Sequence, residues 1–138
     1  MNHNAEIVNK LRSSNLRPTK QRIRIGEFLF KRDKTFHFTV EKLNKIINKK
    51  DNSDKISLAT IYNTIDAFKK AGHLKEILTN NNTSYFDTNV SSHHHFYDDE
   101  TNELTDINYN EIEVAKVPNA PKGKKIKDVE VIISLQKQ

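Results

Sequence analysis

The chain contains no cysteine. That excludes disulfides, thiolate zinc sites and cysteine nucleophiles, and it fits a reducing compartment. Long apolar runs are also missing. The opening residues MNHNAEIVNK hold no signal-like apolar core, and no stretch is long enough to span a bilayer. A cytoplasmic protein with no membrane partner is expected. Only 3 glycines occur in 138 residues, and none builds a phosphate-cradling loop. No internal repeat is found, and no HExxH spacing supports a small zinc-dependent enzyme. The chain is therefore not expected to be an enzyme.

What is present is a soluble composition, 35% hydrophobic and 30% charged, enough for one modest domain or two small ones. The net charge of +5 conceals a division. Residues 1–75 hold 17 Lys and Arg against 7 Asp and Glu, whereas residues 76–138 hold 6 against 11. A basic half followed by an acidic half suggests two tasks, the basic half contacting a polyanion. A solvated Lys-rich surface is the plainer explanation of the charge taken alone.

The most informative stretch is SLATIYNTIDAFKKAG, Ser57 to Gly72. It predicts a helix with both ends marked. Ser57 can cap the first turn, Gly72 suits the left-handed residue after the last, and Lys69 and Lys70 sit where the helix dipole favours cations. Leu58, Ile61, Ile65 and Phe68 recur at helical spacing and predict one buried stripe. The other face carries Ala59, Tyr62, Asn63 and Asp66, with Thr60 beside them. Small residues allow close approach to a surface, Asn can pair with an adenine edge, and Tyr can lie against a thymine methyl. This face predicts a helix that enters the major groove of double-stranded DNA. Packing of Tyr62 against a neighbouring hairpin is the competing reading.

In chain order, a short helix is expected over Glu6 to Ser13, and Pro18 pushes Arg17 toward extended backbone. A second helix runs from Lys20 to Lys31, capped by Thr19, with Ile23, Gly26, Leu29 and Phe30 available to a core. Thr39 caps a third, to about Lys49, with Val40, Leu43, Ile46 and Ile47 inward. Asp51 to Lys55 is a polar loop. Leu74 to Thr79 and Thr83 to Asp87 predict a hairpin around an Asn-rich turn, since Asn tolerates positive φ. Helices followed by a hairpin are the order of a winged helix. Composition shifts at TNVSS, residues 88–92. The expected class is α+β: a winged-helix DNA-binding domain over residues 1–88 and a small C-terminal α/β dimerisation domain over 89–138. In the latter, strands are expected near His95 to Tyr97 and Glu103 to Ile107, and Ile112 to Val117 is ambiguous. Lys127 to Leu135 alternates, with Val129, Val131, Ile133 and Leu135 on the inner face and Glu130 on the other. So short a segment cannot bury much core alone, which predicts a homodimer.

Three adjacent histidines, His93, His94 and His95, stand at the start of that second segment. On a strand His93 and His95 share a face and His94 points away, so the run can serve two sites. Imidazole with carboxylate suits Zn, Fe or Mn. Isolated histidines such as His73 are better read as packing residues.

LRPTKQR, SLATIYNTIDAFKKAGHL, the segment ending YFDTN, and SHHHF together resemble the ferric uptake regulator family over about residues 10–136. The likeness is nearest to its iron response regulator branch, which also reads Tyr-Asn where most members read Tyr-Arg and lacks the paired cysteines. The resemblance implies a dimeric transcriptional regulator, mainly a repressor of iron-responsive genes, controlled by metal or haem. It implies that Tyr62 touches bases and that Arg17 reaches the minor groove. The DNA-contacting set is then Arg17, Ser57, Ala59, Thr60, Tyr62 and Asn63. It also implies a sensing-metal set matching His37, Asp87 and His94, with the non-ligating Phe96 at the fourth position, and a second site matching His93 and His95. Histidine can be an axial haem ligand. The alternatives are a zinc, manganese or peroxide sensor of the same family, and a metal- or haem-binding protein with no DNA role.

Overall fold

The computed structural model describes residues 3–49, 54–79 and 81–138. Residues 51–53 of the expected polar loop and Asn80 of the expected turn lie outside them. The fold is α+β, and the chain divides into two compact units, Met1–Val90 and Ser91–Gln138.

Among the described residues the first unit carries four helices and a small sheet: α1 (His3–Ser13), α2 (Lys20–Phe30), β1 (His37–Phe38), α3 (Val40–Ile47), α4 (Leu58–Lys70), β2 (Lys75–Leu78) and β3 (Ser84–Asp87). Three helices begin at hydroxyl caps. Thr19 accepts from the Arg22 N–H at 3.2 Å, Thr39 from Lys42 at 3.1 Å and Ser57 from Thr60 at 3.1 Å. Each such cap contributes about 1 kcal/mol. Helix α4 ends as its sequence requires. Gly72 adopts φ +85°, which lets the His73 N–H reach back to the Phe68 carbonyl at 2.9 Å. Ile7, Leu11, Ile25, Leu29, Leu43, Ile61, Ile65 and Phe68 form one buried core. Each buried aliphatic side chain contributes about 1.5–3 kcal/mol. Gly26 permits α1 and α2 to close on each other, because a Cβ there would lie 3.0 Å from the Ile7 Cγ2.

Leu58 and Ile46, expected in the core of the first unit, are exposed. Leu58 is 45% exposed, and the inward stripe of α4 is Ile61, Thr64, Ile65 and Phe68. Helical side chains lean toward the N-terminus, so a residue in the first turn projects past the packed surface. Ile46 is likewise exposed, since Val40, Leu43 and Ile47 already fill the face of α3 that meets the core. The sheet has order β1-β3-β2 and is antiparallel. The two-residue β1 was not expected; a pair of residues is too short to show a strand period. In the β2–β3 hairpin Asn82 supplies the positive φ of 62°.

The second unit is a three-stranded sheet of order β5-β4-β6, built from β4 (His94–Asp98), β5 (Glu103–Ile107) and β6 (Ile132–Leu135). Strands β4 and β5 are antiparallel around a turn in which the Asp98 carboxylate accepts from the Glu100 N–H at 3.0 Å and Asn102 adopts φ 60°. Strand β6 runs parallel to β4. Its connection contains only a single 3-10 turn, Tyr109–Glu111, and Ile112 to Val117 takes no regular structure. The expected strand from Lys127 is shorter than its alternating pattern. Pairing with β4 begins at the register His95↔Ile132, and just before it the Val131 carbonyl accepts from the His95 N–H at 3.1 Å while its N–H goes to the His94 ring instead of to the β4 backbone. Ile133 and Leu135, expected inside, are 38% and 39% exposed, whereas Tyr97, Leu104 and Ile107 are buried. Among the described residues no helix is long and apolar enough to cross a membrane.

Candidate nucleic-acid face and candidate metal centre

Helix α4 presents Ala59, Tyr62 and Asn63 to solvent, with Tyr62 46% exposed. The Tyr62 hydroxyl donates to a Glu41 carboxylate oxygen at 2.8 Å. That hydrogen bond first, then desolvation and the Glu41 charge, raise the phenol pKa above its ordinary value, so the hydroxyl stays protonated. Asn63 and Thr60 line an open cleft together with Arg17, Thr19, Gln21, Arg22 and Thr64. The Arg22 guanidinium also donates to the Arg17 carbonyl at 3.1 Å, which ties the segment before α2 to that helix. Arg17 and Asn63, 46 positions apart in sequence, thus share one cleft. Gln21 and Arg22 were not among the expected DNA contacts. Ser57 has a structural role: its hydroxyl accepts from the Thr60 N–H and donates to the Thr60 hydroxyl at 2.9 Å.

The first unit also brings His37 and Asp87 side by side, paired across β1 and β3. Asp87 is fully buried and accepts from the Asn89 N–H at 2.8 Å.

In the second unit His93 and His95 share one face, with ring centroids 4.4 Å apart. Both Nε2 atoms approach the same carboxylate oxygen, Asp106 Oδ1, at 3.4 Å from His93 and 3.3 Å from His95. One donor atom from each of the three lies within 4.8 Å of the others. Metal–ligand bonds of about 2.0–2.2 Å imply ligand separations of about 3–3.5 Å around a tetrahedral ion, so the set fits a small divalent cation. The His93 ring is oriented for this role. Its Nδ1 lies 2.7 Å from the Ser91 carbonyl oxygen, which accepts only from an N–H, so the proton sits on Nδ1 and the Nε2 lone pair faces Asp106.

His94 is placed apart from that pair. Its ring stacks on Tyr109 at 5.2 Å, and its Nδ1 accepts from the Val131 N–H at 2.9 Å. In the neutral ring the proton is then on Nε2, and neither nitrogen offers a lone pair to a cation. The structure thus groups His93 with His95 and places His94 apart from them, the same division that strand alternation and the resemblance imply, with the His94 Nδ1 turned to the Val131 N–H. Asp106 was not identified from the sequence. Its signal lies in the pairing: His95↔Asp106 are directly opposite in β4 and β5, and opposed residues of an antiparallel pair share a face. A strand pattern gives the faces of one strand but not this register.

A model of the ferric uptake regulator family matches residues 13–134. Peroxide-responsive repressors PerR from two staphylococci are similar in sequence. That of Staphylococcus aureus is 32% identical over 111 residues, 78% of this chain and 72% of the relative. That of Staphylococcus epidermidis is 30% identical over 108 residues, 78% and 69% of the two chains. Among solved structures, the ferric uptake regulator from Pseudomonas aeruginosa with manganese superposes with a TM-score of 0.70 at 21% identity, covering 96% of this chain and 98% of the other. The regulator from Francisella tularensis with iron gives 0.66 at 20% identity over 87% and 90%. The family match spans most of both units, and with the winged arrangement of the first unit it shows that this chain belongs to the ferric uptake regulator family of transcription regulators.

Proposed function

We propose that this chain is a homodimeric DNA-binding repressor whose operator affinity is set by a divalent metal held at His93, His95 and Asp106. The observation that carries the metal reading is the convergence of two Nε2 atoms on one carboxylate, with the His93 tautomer already fixed by Ser91. The resemblance implies His37 and Asp87 in a separate ligand set, and their pairing across β1 and β3 supports treating those two as a pair within the first unit. The metal would supply positive charge that the ligands neutralise. The chain's own part is to present the donors and to bind DNA differently in the two states, since only differential affinity shifts an equilibrium. Imidazole and carboxylate admit zinc, iron and manganese. Haem has less support, because His94 is enclosed by Tyr109 and Val131 while the other two rings face a carboxylate.

On the DNA side, Arg17, Thr60 and Asn63 in their shared cleft, with Ala59 and Tyr62 on the exposed side of α4, are the proposed contacts. Ser57 holds the end of that helix. The apolar side chains exposed in the second unit, including Tyr109, Val114, Ile133 and Leu135, support a second copy of this chain as the partner that covers them.

Titrating labelled upstream DNA and a random duplex with apo, Mn-, Zn- and Fe-loaded protein tests this function. The expected result is specific binding that changes with metal and is lost in Tyr62→Ala and Asn63→Ala, with nonspecific binding retained. Equal losses on both duplexes would refute base reading. The names of the staphylococcal relatives favour peroxide as a second input beside iron. Loss of operator binding on peroxide treatment of the iron-loaded but not the manganese-loaded protein would support it.

A further inference from the structure

We propose that Glu130 is the outer carboxylate of this metal centre. It holds the His95 ring from the Nδ1 side, so that Nε2 is the nitrogen given to the metal. The proposal rests on the metal site argued above.

His93 and His95 meet Asp106 in the same way, each through Nε2. Each ring also has a second nitrogen on its opposite edge. For His93 that nitrogen faces the Ser91 carbonyl at 2.7 Å. For His95 it faces Glu130 Oε1 at 3.5 Å. The two rings are thus supported alike, one by a backbone carbonyl and the other by a carboxylate. The 3.5 Å separation is longer than a hydrogen bond, and Glu130 Oε1 is buried with no hydrogen-bond partner. A buried oxygen of this kind is costly to leave unsatisfied. A cation on Nε2 leaves the neutral ring with its proton on Nδ1, and that N–H is the donor this carboxylate lacks. Capturing the metal and satisfying Glu130 are then one event. Because Nδ1 and Nε2 point away from each other, Glu130 cannot share an ion with the Nε2 atoms, so it supports the ring rather than ligating.

The backbone beside Glu130 is fixed for this task. Val131 accepts from the His95 N–H at 3.1 Å and donates to the His94 Nδ1 at 2.9 Å. The His94 interaction that removes that residue from the ligand set thereby anchors the segment carrying Glu130. The bound ion would be linked through His95 and Glu130 to the approach into β6.

The test uses the full chain and zinc, manganese and a competing chelator, with wild type, Asp106→Ala, Glu130→Ala and the near-isosteric Glu130→Gln. The expected result is a loss of metal affinity of about 10–100-fold in Glu130→Ala, and a smaller loss in Glu130→Gln, whose amide oxygen still accepts from Nδ1–H. A purely structural role would not move the second readout, the side-chain ¹⁵N spectrum of the zinc-loaded protein. His95 should be metallated on Nε2 with a protected Nδ1–H in wild type, and that proton should exchange rapidly in Glu130→Ala. Wild-type affinity in both Glu130 variants, or His95 metallated on Nδ1, would overturn the proposal while leaving the centre intact. Failure of wild type to bind metal, or wild-type affinity in Asp106→Ala, would remove the centre and the proposal with it.

Discussion

The two units use the same polypeptide chemistry in different ways. In the first, the exposed face of α4, its cap and its C-terminal glycine all lie within 16 consecutive residues, and Arg17 joins that face at one cleft from the segment before α2. In the second, the candidate centre draws on three separate pieces of chain. His93 comes from just before β4 and His95 from within it, Asp106 from β5 and Glu130 from the segment before β6. The first unit also closes a core, whereas the second leaves Tyr109, Ile133 and Leu135 exposed. The comparison teaches that a surface can be encoded by the periodicity of one helix, but a centre needs a register.

The sharpest way to break that comparison is to damage one unit and ask about the other. Phe68→Ala should destabilise the first unit by about 3–5 kcal/mol, because the ring is fully buried among Phe30, Ile61 and Ile65. Chemical denaturation should show this loss while the Zn affinity of the second unit's donors persists at low denaturant. Asp106→Ala should do the reverse. Metal binding measured by calorimetry should fall below detection, with the melting of the helical unit and its nonspecific DNA affinity unchanged. If Asp106→Ala also abolished nonspecific binding, the division of labour drawn here would fail.

Smaller changes sharpen the comparison within the first unit. Tyr62→Phe keeps the ring but loses the bond to Glu41, and operator affinity should fall only about two- to fivefold, since such a bond is worth little at an exposed site. A loss as large as in Tyr62→Ala would show that the hydroxyl, not the ring face, reads DNA. The smallest effect is a pH dependence from His73. Its Nε2 lies 2.8 Å from the Ser14 hydroxyl, and burial, then the Lys10 charge, lowers its pKa. The unfolded chain therefore takes up the proton first. This part of the stability is complete above the ordinary histidine value of about 6.5 and is lost as pH falls from there through the depressed folded value. Melting curves between about pH 7.5 and 5 should show the decline, and His73→Gln should flatten it.

Much of the molecule was legible because its causes are local. Thr19, Thr39 and Ser57 announced three helix starts by the hydroxyl each brings, and Asn82 took the positive φ that an Asn-rich turn suggested. Tyr62 and Asn63 were expected to be open, and they are. Leu58 was misjudged because a periodic pattern does not say where the packed surface stops. Glu130 was expected on the polar side of an extended strand, but pairing with β4 begins only at Ile132, and the segment before it is bent to His95 and His94 instead.

The order of residues alone determined the helices, their caps, the exposed tyrosine-and-amide face of α4 and the presence of a histidine cluster. Each follows from interactions spanning a few positions, where backbone geometry leaves little choice. Tertiary structure alone decided that Asp106 faces the His93 and His95 pair, and that His94 is held by Val131 and Tyr109. Those outcomes depend on how distant strands align, and a shift of a single residue in that alignment would have turned every one of these side chains to the other face.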